Sequence, residues 1–288
     1  MALFTVRVNQ ELIGKRTDKL LAEQLPQFPR AALAKLFDKD LVWLNDNLTK
    51  PGIKVRLGDK LKIDLSPLDI NIADIDLPIL YQDEYVLVID KPAGVISHAR
   101  GKYFDEPSVA SFVRQITHQS GDRAGIVHRL DRATSGVMIC AKNQESLSWL
   151  QQQFSKRKVD KTYLAIIRGE MPTPSGFIDM PIDRNPNVPK MFYVSQSGKQ
   201  AKTHFETKQF IDKYSLLELK PETGRTHQLR VHLHELKHPI VGDELYGGEP
   251  SSRLMLHAER IEITLPSGKL GVFSSPIPEE FGKKLNDK

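Results

Sequence analysis

Three apolar stretches, TYLAIIRG, AKTHFETKQF and YSLLELKP, follow one another between residues 162 and 221 with no helical pattern between them. This is the strongest constraint on the fold. Parallel neighbours need a crossover of a dozen or more residues, usually a helix, whereas antiparallel neighbours do not. Several of the stretches alternate apolar and polar residues, as half-buried antiparallel strands do. A late pair, LMLHAERIEITLP and KLGVFSSP, is joined through Pro266-Ser267-Gly268 and reads as a hairpin. EYVLVID (84–90) and GVMICAK (136–142) read as buried strands. Only SVASFVRQITHQ (108–119) and NQESLSWLQQQF (143–154) read as helices here, the second capped by Asn143 with Leu147, Leu150 and Phe154 inward. The expected fold class is α+β, built around a mixed, largely antiparallel sheet.

The first quarter of the chain reads as a separate unit. Helical spacing in TDKLLAEQL, behind a Thr/Asp cap signal, is followed by PRAALAKLFDKD, which Pro29 opens. A strand-like LVWLN, a turn at Asn45–Asn47 and a β-like pair, IKVRL and KLKIDL split at Gly58-Asp59, complete it. Residues 66–78, SPLDINIADIDLP, are bracketed by Pro67 and Pro78 and carry three Asp but no Lys or Arg, as a linker would. The expected domains are 1–66, a linker at 67–78, and 79–288. Charge separates them too. The net charge is +5, and residues 1–66 hold 12 Lys/Arg against 8 Asp/Glu. That fits either a polyanionic partner or a solvated basic face.

No apolar run approaches the ~20 residues of a membrane helix, and the start shows no signal-peptide pattern. The single cysteine, Cys140, excludes an internal disulfide and any cysteine-rich metal site, and suits a reducing cytosol. A cytoplasmic protein without a membrane partner is expected.

Two stretches could carry chemistry. GRTHQLRVHLHELKHPI (224–240) contains HELKH, which fits the H-E-x-x-H pattern of zinc proteases. Zinc needs both imidazoles one helical turn apart, but His238 precedes Pro239, which pushes it out of the helix. No specific third ligand is evident. A histidine-rich helix end is the better reading, with a zinc hydrolase as the alternative. The second stretch, GIVHRLDRATSGVMICAK (125–142), runs from a strand through a loop into a buried strand. Its Asp131 stands between Arg129 and Arg132, cations that would keep it ionised, in a catalytic loop or in a salt-bridged surface loop. A lone carboxylate does not suit the paired-acid arrangement of glycosidases.

HRLDRATSGVMICAK closely resembles the signature of the RluA-like pseudouridine synthases. KPAGVISH (91–98), KTYLAIIRGE (161–170), ETGRTHQLRVHL (222–233), GDELYGG (242–248) and LMLHAERI (254–261) are similar to further motifs of that family, in the family order. The resemblance implies isomerisation of uridine to pseudouridine in structured RNA, most in line with large-subunit ribosomal RNA. Transfer RNA is the close alternative, and a catalytically silent RNA-binding or ribosome-assembly factor is another. It implies that Asp131 is the catalytic aspartate, acting on the sugar or through the base of a flipped-out uridine. Tyr163 would pack on the uracil and help move the carbon-5 proton. Arg225 would pair with Asp131, and Arg129 would enter the RNA stack, with His128 and Arg132 beside it as RNA contacts. Extruding a base costs a few kcal/mol, and an arginine plane stacked in the gap offsets part of it. The reaction implied needs no metal and no organic cofactor. On the residues alone, Tyr163 also fits a plain strand aromatic and Arg225 a turn residue.

Residues 14–64 resemble the alpha-L RNA-binding module through Asp18, Leu21, Arg30, Leu33, Phe37, Val42, Asn45, Gly58, Asp59, Leu61 and Ile63. Asp40 and Asp46 depart from the module, standing where it commonly has glycine. The resemblance implies RNA backbone binding, with Arg30, Lys35 and Lys39 as phosphate contacts. A monomer acting on RNA is expected.

Overall fold

The computed structural model describes residues 3–68, 75–98, 106–117, 119 and 123–286. The chain divides into two compact units, one within residues 3–68 and one within 75–286. The middle of the expected linker, 69–74, lies outside the described residues, as does His118 of the expected helix 108–119.

In the first unit, helices Thr17–Gln24 and Arg30–Asp38 pack on a four-stranded antiparallel sheet. Leu20, Leu21, Leu33, Leu36, Leu61 and Ile63 are almost wholly buried between them. Pro29 precedes the second helix with its φ preset at −58°. Thr17 does not cap the first helix; its hydroxyl donates to the Lys50 carbonyl at 2.8 Å. The expected IKVRL–KLKIDL hairpin does not form. Lys60–Asp64 pairs instead with Leu3–Arg7 and Val42–Leu44, while 53–57 makes only an isolated bridge, Lys54 to Arg16. Lys60–Asp64 is thereby paired on both sides, with Leu3–Arg7 on one edge and Val42–Leu44 on the other, which leaves no edge for 53–57. Asp40 and Asp46 do adopt the left-handed backbone that glycine favours, at φ 56° and 66°. Both turns keep that backbone because aspartate, with asparagine, tolerates the region better than most side chains.

The second unit is a mixed, mostly antiparallel sheet. Eight strands run in the order Ile79–Gln82, Val86–Lys91, Ser135–Ala141, Leu256–Thr264, Asp160–Arg168, Tyr214–Pro221, Lys202–Ile211 and Ser175–Asp179. A ninth, Leu270–Ser274, pairs antiparallel with Leu256–Thr264, forming the late hairpin. Among the described residues one pairing in this sheet is parallel, and it is short: Ser135 with His257 and Gly136 with Ala258. Backbones meet so closely at this seam that a Cβ on Gly136, at φ 118°, would lie 2.1 Å from the Ala258 carbonyl oxygen. Only glycine fits there.

The seam separates two cores. One gathers Val86–Ile89, Val137–Ala141 and helix Val109–Thr117, with helix Gln144–Ser155 capped by the Asn143 carboxamide oxygen on Ser146 N–H at 2.8 Å. Cys140 is buried there, and burial pushes its thiol up to about 12. The other gathers Leu164–Ile167, Leu217 and Leu219 under helices Gln228–Glu235 and Glu279–Leu285. A small hairpin, Ile182–Arg184 with Phe192–Val194, stands apart from the sheet. No helix among the described residues is long and apolar enough to cross a membrane.

Candidate active site

Asp131 lies in the loop that enters the Ser135–Ala141 strand, four residues before the seam. Residues 91–97 grip that loop from below. The buried Lys91 ammonium donates to the carbonyls of Pro92 (2.9 Å), Val95 (2.8 Å) and Arg132 (3.3 Å). Those bonds use all three of its N–H groups. Gly94 N–H donates to the same Arg132 carbonyl at 2.8 Å. The Ser97 hydroxyl donates to Leu130 O (2.8 Å) and accepts from Leu130 N–H (3.0 Å). Burial pushes the Lys91 pKa down to about 7, against the opposing pull of Asp131. The KPAGVIS segment is thus the brace of the Asp131 loop.

The opposite wall comes from helix Gln228–Glu235. Gln228 fixes the turn ahead of it. Its carboxamide oxygen accepts from Thr223 Oγ1 (2.7 Å) and Arg225 N–H (3.0 Å), and its Nε2 donates to Lys202 O and Thr203 Oγ1, both at 3.0 Å. This presents Arg230 and His227 to Asp131. Arg230 holds the wholly buried Asp243 with two bonds of 2.7 Å, from Nε and one terminal nitrogen. Its remaining nitrogen lies 3.7 Å from Asp131 Oδ2. Burial opposes the Arg230 charge, but the Asp243 hydrogen bonds and the charges of Asp243 and Asp131 outweigh it and raise its pKa.

His227 approaches the same Asp131 oxygen to 3.8 Å through Nε2, from a left-handed backbone at φ 57°. Its Nδ1 is 2.9 Å from the Tyr246 hydroxyl, which already accepts from Phe192 N–H at 2.9 Å. The hydroxyl has one proton to give. Burial keeps His227 low in pKa, so the neutral ring takes that proton's bond at Nδ1. Nε2 then carries the N–H and directs it at Asp131.

Tyr163, on strand Asp160–Arg168, lines the pocket together with Asp131, Arg230 and Lys161. Burial, then the Asp131 charge, holds its phenol well above the ordinary tyrosine range. The pocket is small, about 110 Å³, and opens into a groove of about 480 Å³ past Arg129, Phe154, Arg157 and Arg225.

The structure therefore gathers Asp131 and Tyr163, and corrects their partner. Arg225 does not reach Asp131. It sits before the helix, with Nε donating to Gln200 O at 3.0 Å. Arg230 makes the contact from the first turn of the helix, with one terminal nitrogen 3.7 Å from Asp131 Oδ2. The arginines beside Asp131 do not hold it either. Arg132 turns to Glu106, with one bond of 2.8 Å and a second shorter one, and Arg129 is exposed at the pocket rim. Residues adjacent in a turn point apart.

His128 is not offered to RNA as a cation. Its ring stacks on Phe154 at 4.8 Å and accepts Ile139 N–H at Nε2 (3.1 Å). Burial, then the charge of Lys161, pushes its pKa down to about 3. In the first unit, Arg30 is committed to Asp18 at 2.5 Å, beside Arg16 at 3.0 Å, whereas Lys35 and Lys39 are exposed. The two histidines of HELKH part company. His234, in the last helical turn, bonds the Tyr246 carbonyl at 2.7 Å. His238 lies past the helix and past Lys237 at φ 66°, and bonds Arg168 O at 3.2 Å. No cluster of three or more His, Cys, Asp or Glu suited to a metal occurs among the described residues.

Sequence reasoning missed Lys91, Lys161, His227, Arg230, Asp243 and Tyr246 as working parts. For Lys161 the signal was present: in KTY it shares a strand face with Tyr163.

The model of the RNA pseudouridylate synthase family matches residues 85–235. An uncharacterized RNA pseudouridine synthase of Aquifex aeolicus is 38% identical over 248 residues, 83% of this chain and 78% of the relative. The ribosomal large subunit pseudouridine synthase D of Xylella fastidiosa is 36% identical over 94% of this chain and 88% of its own length. Among solved structures, human RNA pseudouridylate synthase domain containing 1 superposes with a TM-score of 0.60 at 26% identity, over 74% of this chain and 96% of that one.

Proposed function

The chain belongs to the RNA pseudouridylate synthase family, and from that premise we propose that Asp131, Arg230 and Tyr163 isomerise a uridine flipped out of large-subunit ribosomal RNA. The enzyme is an isomerase. The N1–C1′ bond of uridine breaks, a C5–C1′ bond forms, C5 gives up its proton and N1 regains one. The observation that carries the site assignment is the Asp131 carboxylate facing Arg230 at 3.7 Å and the His227 ring at 3.8 Å, in a pocket walled by Tyr163.

Each group has a part. Asp131 acts on the sugar or through the base, and either route uses its carboxylate. Arg230 supplies the counter-charge and, locked by Asp243, fixes its direction; His227 aims a second donor at the same oxygen. Preorganised donors of this kind cost no rearrangement when the reaction occurs. Tyr163 keeps its proton at neutral pH, so its ring walls the uracil and its hydroxyl passes the C5 proton on rather than storing it. Arg129, exposed at the rim, fills the stack the uridine leaves. Lys35 and Lys39 of the first unit add backbone contacts, and the protein works as a cytoplasmic monomer. The ribosomal target is supported by the name of the Xylella relative.

The test is Asp131→Asn expressed in cells lacking the native protein, with pseudouridines mapped in ribosomal and transfer RNA. The variant folds and restores no pseudouridine, while the wild type restores it in large-subunit ribosomal RNA. Full restoration by Asp131→Asn removes Asp131 from the chemistry. Restoration by the wild type in transfer RNA alone reassigns the substrate.

A further inference from the structure

The groove leading away from the Asp131 pocket is lined by four Lys/Arg side chains and one acid. Lys161, Arg157 and Arg225 line it, with Arg129 at its junction with the pocket. Among the described residues none of these cations has an ion-pair partner. Elsewhere on the unit Arg132 pairs with Glu106, Lys202 with Glu222, Lys220 with Glu218, Arg260 with Glu262 and Lys284 with Glu249. The one acid on the groove wall, Glu222, is held by Lys202 at 3.0 Å.

Lys161 is the telling member. It is only partly exposed, on the same strand face as Tyr163, and Asp160 beside it points to the other face. Burial works against the Lys161 charge and Asp160 offsets part of that without closing an ion pair, so a phosphate here would replace what the cation loses in hydration. Arg225 is preset for the same task. Its Nε is anchored to Gln200 O at 3.0 Å, which steadies the guanidinium and leaves its terminal nitrogens for a planar two-oxygen partner. Arg157 stands exposed farther along, just beyond helix Gln144–Ser155.

We propose that Lys161, Arg225 and Arg157 form a track for successive backbone phosphates of the RNA strand that flanks the flipped uridine. This rests on the synthase reading and adds to it a path for the substrate strand. Lys161 and Arg225 line both the pocket and the groove, so they take the phosphates nearest the flipped nucleotide, and Arg157, which lines the groove but not the pocket, takes a more distant one. Arg225, released from the role of partner to Asp131, acquires a function consistent with where it lies.

Phosphate contacts leave a specific mark. Each one neutralised releases counterions, and the slope of log affinity against log salt is about −0.7 to −0.9 per contact. The full-length protein is titrated with a large-subunit ribosomal RNA transcript that it modifies, at KCl concentrations from about 50 to 200 mM. Lys161→Gln, Arg157→Gln and Arg225→Gln each flatten the slope by about 0.7–0.9, and the triple variant by about 2 or more. Lys161→Arg keeps the wild-type slope. Lys283→Gln, which removes a cation paired with Glu279 on the surface, serves as the control and leaves the slope in place. The track is overturned if the three groove variants show the wild-type slope, or change it no more than Lys283→Gln does. Should Lys161→Gln fail to fold, the exposed Arg157 variant and the Arg225 variant decide. A wild-type protein that forms no pseudouridine in any RNA defeats the synthase reading instead, a result separate from the slopes.

Discussion

Arg230 is asked to do two things, hold Asp243 and face Asp131, and a pair of substitutions separates them. Arg230→Met leaves the Asp243 carboxylate, wholly buried, with only the Tyr246 N–H at 3.3 Å. Removing one partner of a buried ion pair costs about 3–5 kcal/mol. For a unit of this size each kcal/mol lowers Tm by about 2–4 °C, so the single variant melts about 6–20 °C early. Asp243→Leu strands the guanidinium and costs a similar amount. The double variant replaces a charged pair by an apolar one, a change often close to neutral, and loses mainly the cap that Asp243 gives Tyr246, about 1 kcal/mol. Stability therefore returns in the double variant. Activity does not. A unit charge 3.7 Å from the Asp131 oxygen is worth about 4 kcal/mol at an effective dielectric constant near 20. If the transition state feels all of it, turnover falls by about 10³. The assay is thermal and denaturant unfolding of all three variants beside single-turnover pseudouridine formation. A stable double variant that turns over within tenfold of wild type refutes the reasoning, since Arg230 would then be a structural ion pair alone.

Two further outcomes follow from the seam and the brace. Gly136→Ala places a methyl 2.1 Å from the Ala258 carbonyl at φ 118°, so it destabilises the catalytic unit by more than about 3 kcal/mol, read as a lowered unfolding midpoint; a loss under 1 kcal/mol would mean that the seam yields. Lys91, pushed down to about 7 when folded from 10.5 when exposed, binds fewer protons in the folded chain between those values, so its contribution to stability rises with pH from about 7 towards 10.5. Lys91→Met removes that rise and also loosens the Asp131 loop; unfolding curves of variant and wild type with the same slope against pH over that window contradict the assignment.

Much of the fold was legible because it is dictated locally. Asn143 caps its helix, Pro29 opens another, and the alternation in AKTHFETKQF and YSLLELKP gives paired strands. What failed was long-range choice. Lys60–Asp64 looked like half of a hairpin with 53–57, but its partner, Leu3–Arg7, lies more than fifty residues earlier. Strand patterns state which faces are apolar, not which strand pairs with which. Asp131 and Tyr163 were named through the resemblance that local motifs carry, and both line one pocket; Arg230, which faces Asp131, was not named. GRTHQLR offers two arginines, and the selection depends on where the helix begins, which His227 sets with a left-handed backbone that histidine seldom adopts.

The same geometry explains why motifs so far apart in the chain belong together. Asp131 and Arg230 face each other across the seam between two cores, so neither core alone fixes their separation. Each is secured by a second segment: Asp131 by Lys91, Gly94 and Ser97, and Arg230 by Asp243, with Tyr246 holding His227. The seam is fixed in turn by Gly136, the closing residue of the Asp131 motif, against Ala258 of the LMLHAERI strand. A catalytic group misplaced by about 1 Å can cost about 10² in rate. The chain thus devotes KPAGVIS, GDELYGG and the Gly136–Ala258 contact to one distance, 3.7 Å between a carboxylate oxygen and a guanidinium nitrogen.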